Sequence, residues 1–174
     1  QKVCDELKVS NVLRNQIKDK FFYDGLDSLI FELNNLINHE MKKAKPDDFS
    51  KLRVNEKIKF FVYQRIKIIN DLFDKKILLK IAVKEKSLIK LNKMLFNICD
   101  EIWFLAGDRS TDFNYYSKRI ILMNIYSTAF LFNLNDNSKD LVKTKNFVDK
   151  QVNLVLKFGS LKSKVKSMFY SKMM

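Results

Sequence analysis

The fold is decided at residues 106–119, AGDRSTDFNYYSKR, which lead directly into the apolar run IILMNIYSTAFLFNL, residues 120–134. Gly107 can end a preceding helix, because glycine adopts left-handed backbone angles without a Cβ clash. A Ser, Thr or Asp from residues 110–112 can then cap the next helix by accepting a hydrogen bond from a free amide. Since residues 120–134 are apolar almost all round, we predict that they form a central, buried helix.

The rest of the chain has apolar residues at helical spacing and few residues that end a helix. Three glycines and one proline occur in 174 residues, and this length suffices for one domain with a substantial core. We therefore predict an all-α fold. The other predicted long helices cover residues 26–41, 49–73, 88–105 and 141–158, with a shorter helix at 77–83. Gly159 is predicted to end the last long helix.

The chain is strongly basic. It has 33 Lys and Arg against 20 Asp and Glu, a formal net charge of +13. This balance favours an anionic partner, such as nucleic acid, acidic lipid headgroups or an acidic protein face. A solvated basic surface without a specific partner is the alternative interpretation.

Two isolated cysteines and the lack of a long apolar run bear on the compartment. Cys4 and Cys99 lie among apolar residues, which indicates buried thiols in a reducing compartment. No apolar run approaches the roughly 20 residues that a helix needs to span a bilayer, so any membrane contact is expected to be peripheral. Because residue 1 lies within a predicted helix, we expect a segment upstream of it.

The residue patterns of common catalytic and metal sites do not occur. His39 is the only histidine and stands beside Glu40, so a surface or hydrogen-bonded imidazole is the simplest interpretation. We find no Cys and His cluster with metal-ligand spacing, no Glu-x-x-His pair of a di-iron site and no glycine-rich phosphate loop. We therefore predict a protein that is not an enzyme, with no metal and no catalytic residue.

The N-terminal residues outline a helix-turn-helix. Residues 3–7 and 12–20 are predicted helices separated by a turn at residues 8–11, which contains Ser and Asn. An alternative hypothesis is therefore a TetR-type DNA-binding transcription regulator with a recognition helix at residues 11–20. The polar residues that could contact bases there are Asn11, Arg14, Asn15, Gln16 and Lys18.

Residues 103–119, WFLAGDRSTDFNYYSKR, closely resemble the signature of the ubiquinone-biosynthesis accessory protein family. The family pattern is W-x-x-A-G-D-x-S-T-D-x-N-W-Y-[TS]-[KR]-R, followed by an apolar helix. Weaker matches extend over residues 62–157 and include the turn at 134–138. The sequence departs from the pattern at Tyr115, where the family usually has Trp.

The resemblance implies a fold and a function. The family members are lipid-binding proteins with a TetR-like fold, a degenerate helix-turn-helix and a C-terminal amphipathic helix, and they assist demethoxyubiquinone hydroxylase. On this basis residues 1–22 are the partial helix-turn-helix, 23–158 the helical lipid-binding domain and 159–174 the membrane-binding helix. We expect a non-catalytic protein that binds a polyisoprenoid ubiquinone precursor and presents it to the di-iron hydroxylase at a membrane surface.

The resemblance also implies a setting for the protein. We expect a homodimer that binds no nucleic acid and no cofactor other than the isoprenoid quinone-type lipid. Its location would be peripheral, on the matrix side of the mitochondrial inner membrane or the cytoplasmic face of a bacterial inner membrane.

The first turns of the helix after Gly107 are the candidate docking surface. Spacing places Phe113, Tyr116 and Ile120 on one face, which we expect to be the core face. The exposed stripe would then consist of Tyr115, Arg119, Leu122 and Tyr126. Aromatic and Arg residues are typical of interfaces, and local hydrogen bonds to neighbouring acids are the alternative. The expected partner-binding residues are Asp112, Asn114, Tyr115, Tyr116, Lys118 and Arg119.

The last long helices are the candidate lipid site. The family holds an isoprenoid lipid between such helices, in a pocket with apolar walls, whereas an ordinary packed core is the alternative. The expected lipid-binding residues are Trp103, Phe104, Met123, Tyr126, Phe130 and Leu131.

The C-terminal segment is basic and amphipathic, and no acidic residue follows Asp149. A helix of this kind suits an anionic membrane surface, where each Lys contributes on the order of 1 kcal/mol. A helix that docks on the same protein is the alternative. The expected membrane-binding residues are Leu161, Lys162, Lys164, Val165, Lys166, Met168 and Phe169.

Overall fold

A computed structural model describes the backbone of residues 26–72, 74 and 88–172, and the side chains of residues 31–72, 74 and 89–157. Within these ranges all regular structure is helical, which confirms the predicted all-α class. The five α-helices are α1 (Leu26–Lys43), α2 (Val54–Leu72), α3 (Leu88–Leu105), α4 (Phe113–Asn133) and α5 (Val142–Lys172). Two short 3₁₀ helices, Phe49–Lys51 and Lys139–Leu141, precede α2 and α5.

Some predicted elements lie outside the described residues. These are the helix-turn-helix at residues 3–20, the domain boundary after residue 22 and the short helix at residues 77–83. The chain divides into two compact units between Glu40 and Met41. The features below all belong to the second unit.

The predicted stop at Gly159 is wrong, because α5 continues through this residue to Lys172. A glycine inside a helix costs only about 1 kcal/mol relative to alanine. The residues on either side include Leu and Lys, which have high helix propensity and help to offset that cost. The boundary between a lipid-binding domain and a membrane-binding helix therefore remains a prediction and is not marked by a break in the backbone.

The junction between α3 and α4 forms as the sequence predicts. Gly107 has φ +92°, and the amide of Asp108 donates to the carbonyl of Trp103 at 3.0 Å, which closes the end of α3. Asp112 is the N-cap of α4, since its carboxylate accepts from the amide of Asn114 at 2.9 Å. Of the three candidate caps, Asp112 is thus the one that forms this bond.

The start of α5 is fixed by a buried carboxylate. Asp136 accepts the amide and hydroxyl of Ser138 at 2.8 and 2.6 Å, and the amide and hydroxyl of Thr144 at 2.8 and 2.6 Å. Burial raises the pKa of Asp136, but the hydrogen bonds from Ser138 and Thr144 outweigh it and hold the pKa well below its usual range. The carboxylate therefore remains ionised and ties the turn to the helix.

The core lies among α2, α3, α4 and α5, with close packing of α4 on both α3 and α5 and of α2 on α5. Its fully buried apolar side chains include Phe61, Val62, Ile66, Ile102, Leu122 and Val148. Asn70 and Asn133 link α2 to α4 through two reciprocal amide hydrogen bonds of 3.0 and 2.9 Å. Buried amides are tolerated in a core when they are paired in this way.

Candidate functional site

A network of charged side chains holds the corner between α3 and α4. The Arg119 Nε donates to Asp100 Oδ1 at 2.6 Å, and its Nη1 donates to Asp108 Oδ2 at 3.1 Å. Asp108 also accepts from Lys118 Nζ at 2.7 Å and from the Ser110 hydroxyl at 2.6 Å. Arg119 and Asp108 are buried, with side chains 4% and 6% exposed. A buried charge is stable only when it is paired in this way.

The same network sets the protonation state of Asp108. Burial raises the pKa of this carboxyl group, while hydrogen bonds from Lys118, Ser110 and Arg119 lower it further than burial raises it. The net result is a pKa of about 2, against an ordinary value of 3.8. Asp108 is therefore ionised at neutral pH, and the two cations beside it keep their counter-charge.

Tyr115 is tied back into this corner. Its hydroxyl donates to Asp100 Oδ1 at 2.9 Å, and the Arg119 guanidinium lies 3.4 Å from the centroid of its ring. The hydrogen bond to Asp100 and burial both raise the pKa of Tyr115. The Tyr116 ring packs edge-on against Tyr115, with 5.1 Å between centroids. Tyr115, which is held by Asp100 and Arg119, therefore supports the ring of Tyr116.

The predicted assignment of the two faces of α4 is wrong. Phe113, Tyr116 and Ile120, which were expected in the core, are 82%, 58% and 61% exposed. The stripe expected to be exposed is mostly buried: Arg119, Leu122 and Tyr126 lie in the interior and Tyr115 is half-buried. The cause is that Asp100 and Asp108 neutralise Arg119, so a face containing an arginine can turn inward.

The expected partner-binding residues therefore differ in exposure and do not form one surface. Asp112, Asn114 and Tyr116 are exposed, Tyr115 and Lys118 are half-buried, and Arg119 is buried. Phe113, Tyr116 and Ile120 together form an exposed apolar surface, which we call the α4 patch. Sequence reasoning missed Phe113 and Ile120 because their spacing is equally compatible with a core face.

An apolar cavity of about 380 Å³ opens beside the buried face of α4. Its walls come from α2, α3, α4 and α5, and most of its lining is aliphatic: Ile58, Ile121, Leu122, Ile125, Val152 and Val155 among others. The lining also includes three residues with polar groups, Asn55, Trp103 and Lys118. The Trp103 indole N–H donates to the carbonyl of Lys118 at 3.1 Å, and the Lys118 Nζ lies 5.3 Å from the centroid of that indole.

Residues 90–159, which include the corner, the α4 patch and much of the cavity wall, match the COQ9 family model. Over this segment the chain is similar to the COQ9 family. It is 29% identical over 168 residues to the "Probable ubiquinone biosynthesis protein coq9, mitochondrial" of Dictyostelium discoideum, which covers 94% of this chain and 55% of that protein.

Two mammalian COQ9 proteins, each named "Ubiquinone biosynthesis protein COQ9, mitochondrial", are also similar. The rat protein is 28% identical over 136 residues, which are 78% of this chain and 44% of the relative. The human protein is 39% identical over 74 residues, which are 42% of this chain and 23% of the relative. The chain thus spans at most about half the length of these three COQ9 proteins.

Most of the expected lipid-binding residues do not meet in the cavity. Trp103 lines it, whereas Phe104 and Leu131 are exposed and Tyr126 is buried in the core. Met123 and Phe130 are half-buried and are not among the cavity-lining residues. The walls from α2 and α5 were missed as pocket residues, although residues 49–73 and 141–158 were predicted to be helical from their apolar spacing.

The expected membrane-binding residues lie on the backbone of α5 beyond Phe158, where side chains are outside the described residues. Among the described residues, no helix has the length and hydropathy required to cross a bilayer. No cluster of three or more His, Cys, Asp or Glu side chains able to hold a metal ion is found in the same part of the chain. The polar residues proposed to contact DNA, within residues 11–20, also lie outside it.

Proposed function

We propose that this chain acts in mitochondrial ubiquinone biosynthesis as a non-catalytic COQ9-type protein that presents a lipid precursor to the di-iron demethoxyubiquinone hydroxylase. The observation that carries the proposal is the family match over residues 90–159. This segment contains both the Trp103 side of the cavity and the α4 patch. The relatives named above are ubiquinone biosynthesis proteins of mitochondria, and the comparisons do not favour the DNA-binding alternative.

The cavity supports binding of an isoprenoid lipid. Its aliphatic lining stabilises an apolar chain by about 25 cal/mol for each Å² removed from water. Its volume of about 380 Å³ lies near the lower end of the roughly 300–1,000 Å³ typical of ligand pockets. A pocket of this size encloses one end of a long polyisoprenoid molecule, and the remaining tail would continue along the protein or into a membrane.

The α4 patch supports docking of a protein partner. Phe113, Tyr116 and Ile120 place two aromatic rings and an aliphatic side chain in solvent within two helical turns. Contiguous exposed apolar surface of this kind marks interaction sites, and aromatic anchors commonly carry most of the binding free energy. The ion-paired corner fixes Tyr115, and the ring of Tyr115 packs against Tyr116. This contact would restrict Tyr116 before a partner binds, which lowers the entropic cost of docking.

Two further parts of the proposal rest on sequence. The basic residues near the end of α5, among them Lys162, Lys164 and Lys166, suit an anionic membrane surface. Peripheral contact with the matrix side of the inner membrane and assembly as a homodimer complete the proposed function.

The lipid-binding step is tested by mass spectrometry of lipids that copurify with the full chain. We expect a prenylated quinone or quinone precursor with the wild-type protein. Val155→Trp should fill the cavity and remove this lipid, whereas Val142→Trp, an exposed position on the same helix outside the cavity, should retain it. Equal lipid in both variants, or phospholipid alone in the wild type, would contradict the cavity assignment.

The docking step is tested by pull-down of demethoxyubiquinone hydroxylase from the same organism. Phe113→Ser combined with Tyr116→Ser should abolish capture, because it removes two exposed aromatic anchors and leaves the buried core side chains unchanged. Ile89→Ser removes an equally exposed apolar side chain from α3 and serves as the control. Unchanged capture by the double variant would exclude the α4 patch as the docking surface.

A further inference from the structure

The cavity beside α4 has an open, apolar mouth. Val54, Ile121 and Leu156 line the cavity and are between 43% and 48% exposed, so part of its aliphatic surface meets solvent. The three side chains come from three different helices, α2, α4 and α5. Apolar side chains that converge on one opening form a contiguous surface, and such a surface favours contact with an apolar partner.

A group of unpaired cations lies at the start of α2, beside this mouth. In the part of the chain that the structure describes, no ion pair is formed by Lys45, Lys51, Arg53 or Lys57. The first three are exposed, and Arg53 directly precedes Val54 at the mouth. The acidic residues of the same segment are the exposed Asp47 and Asp48, and Glu56, which is paired with Lys59 at 2.9 Å. The segment therefore presents a surplus of positive charge.

Two of these cations are held on an aromatic support. Lys45 Nζ and Lys57 Nζ each lie 5.5 Å from the centroid of the Phe49 ring. Phe49 is buried and packs against Phe60 and Phe61, with 5.4 and 5.0 Å between ring centroids. A ring attracts an ammonium group without neutralising it. Both ammonium groups therefore keep their charge and their hydrogen-bond donors for an external anion.

The helix α5 leaves the bundle at the same end. The Tyr63 hydroxyl donates to the carbonyl of Asp140 at 2.7 Å, whereas Val54 and Leu156 meet at the cavity, so α2 and α5 run antiparallel. Beyond Leu156, α5 continues past the first residue of α2 to Lys172, about 24 Å at 1.5 Å per residue. This part of the sequence contains lysines and no acid. A second basic segment thus begins beside the mouth of the cavity.

We propose that this end of the bundle is a membrane-docking surface, in which the apolar mouth lies against the acyl region and anionic phospholipid headgroups bind the α2 rim, defined as Lys45, Lys51, Arg53 and Lys57. The inference rests on the proposed function in placing the protein at a membrane. It adds a contact surface separate from residues 159–174, and it directs the cavity towards the bilayer. A polyisoprenoid chain would then enter the cavity without crossing water.

The mouth favours a bilayer over an acidic protein as the partner of the α2 rim. Cations beside exposed aliphatic side chains match the layers of a membrane surface, where charged headgroups border acyl chains. A protein partner with an acidic face would satisfy the cations but would leave the aliphatic side chains of the mouth against polar groups. It would also close the opening through which a lipid enters.

Binding of the full chain to sedimenting vesicles tests the α2 rim. The vesicles consist of phosphatidylcholine with or without phosphatidylglycerol. Each Lys or Arg near an anionic bilayer strengthens binding roughly fivefold. Lys51→Gln combined with Arg53→Gln should therefore weaken binding to the anionic vesicles roughly 20- to 30-fold.

A matched control removes two exposed lysines from the other end of the bundle. Lys139→Gln combined with Lys143→Gln makes the same change in net charge next to the start of α5. The length of α2, about 28 Å, separates the two ends, and this exceeds the Debye length of about 8 Å at physiological ionic strength. The control should therefore bind anionic vesicles within about twofold of the wild type.

Trp103 reports the orientation of the cavity, because it is the single tryptophan and lines the cavity. Anionic vesicles with brominated acyl chains should quench its fluorescence, since bromine quenches tryptophan at short range. The quenching should fall in Lys51→Gln combined with Arg53→Gln. High salt screens the charges, so it should release the protein and restore the fluorescence.

Four results would overturn the inference. Unchanged binding of the α2 rim variant, with loss of binding when Lys162, Lys164 and Lys166 are replaced by Gln, would confine membrane contact to residues 159–174. Equal weakening by the control pair would show a general attraction of the basic chain and no specific surface. Vesicle binding without quenching of Trp103 would reject the orientation. Failure of the wild-type chain to bind anionic vesicles would reject the α2 rim together with the membrane contact of the proposed function, and would favour an acidic protein partner.

Discussion

Neutralising Asp108 should destabilise the fold by an amount that the structure defines. Asp108→Asn keeps the size of the side chain and removes the charge that faces Lys118 and Arg119. The difference between the ordinary pKa of 3.8 and the value of about 2 in the fold corresponds to about 2.5 kcal/mol, at 1.36 kcal/mol for each pKa unit. Arg119 retains Asp100 as a partner at 2.6 Å, so the loss should not greatly exceed this figure.

The same interaction predicts a pH dependence. The pKa of Asp108 is lower in the folded state than in the unfolded state, so the unfolded chain binds protons more readily. The contribution of Asp108 is therefore complete above about pH 4 and is lost as the pH falls towards about 2. Asp108→Asn should remove this part of the pH dependence.

Urea unfolding of the full chain, followed by circular dichroism at pH 7 and at several acidic values, measures both effects. Asp47→Asn, at an exposed loop position, is the matched control and should change stability by less than about 0.5 kcal/mol. A loss below about 0.5 kcal/mol for Asp108→Asn at pH 7, or an acid profile identical to that of the wild type, would refute the reasoning that this buried network stabilises the corner.

Three other predictions concern buried polar groups. Asp136→Asn should lower the free energy of unfolding by about 2–3 kcal/mol, because four donors lose a charged acceptor. Urea unfolding measures this loss. A loss smaller than that of Asp112→Ala, about 1 kcal/mol, would contradict the prediction. Asn133→Ala should cost about 1–3 kcal/mol by leaving Asn70 without its reciprocal amide, and in a double-mutant cycle Asn70→Ala should add less than its separate cost. Burial raises the pKa of Cys99 to about 12, although Arg65 and Arg119 act in the opposite direction. Iodoacetamide at pH 8 should therefore modify Cys99 only when the protein unfolds, which mass spectrometry of the Cys99 peptide measures. Rapid modification of the native protein would show that the thiol is not buried.

Local chemistry explains which parts of the fold could be predicted from the sequence. The end of α3 at Gly107 and the start of α4 at Asp112 depend on residues within a few positions of each other, so the sequence contains the information required. The same holds for the helices themselves, since apolar spacing defines them. Gly159 is the exception, because one unfavourable residue does not outweigh a long run of helix-forming neighbours.

The faces of α4 could not be assigned from the sequence, because the deciding residues lie on other elements. Arg119 can be buried only where Asp100 from α3 and Asp108 from the loop reach it. With Arg119, Leu122 and Tyr126 turned inward together, helical geometry places Ile120 on the outer side of α4 and Tyr116 at the edge of that side. The variant pair Tyr115→Ala and Arg119→Ala, which the family signature alone suggests as a docking test, would therefore damage the fold as well as any interface.

The cavity could not be predicted for a related reason. Its walls combine Val54 and Ile58 from α2 with Val152 and Val155 from α5, and only the packing of four helices brings them together. The sequence places these residues in two helices that were predicted from apolar spacing, but it carried no signal that a space remains between them. Trp103 was found because it belongs to the family signature, whereas the role of Lys118 in the wall depends on the turn of α4.

The same two turns of α4 contribute to the cavity and to the α4 patch. Lys118 and Leu122 line the cavity, while Tyr116 and Ile120 alternate with them on the exposed side. An α-helix with its side chains is about 10–12 Å across, so a partner seated on the patch would lie about one helix diameter from a ligand in the cavity. In the proposed function this short separation matters, because a precursor held in the cavity would need to move only around α4 to reach the hydroxylase and would not have to cross open water with its tail.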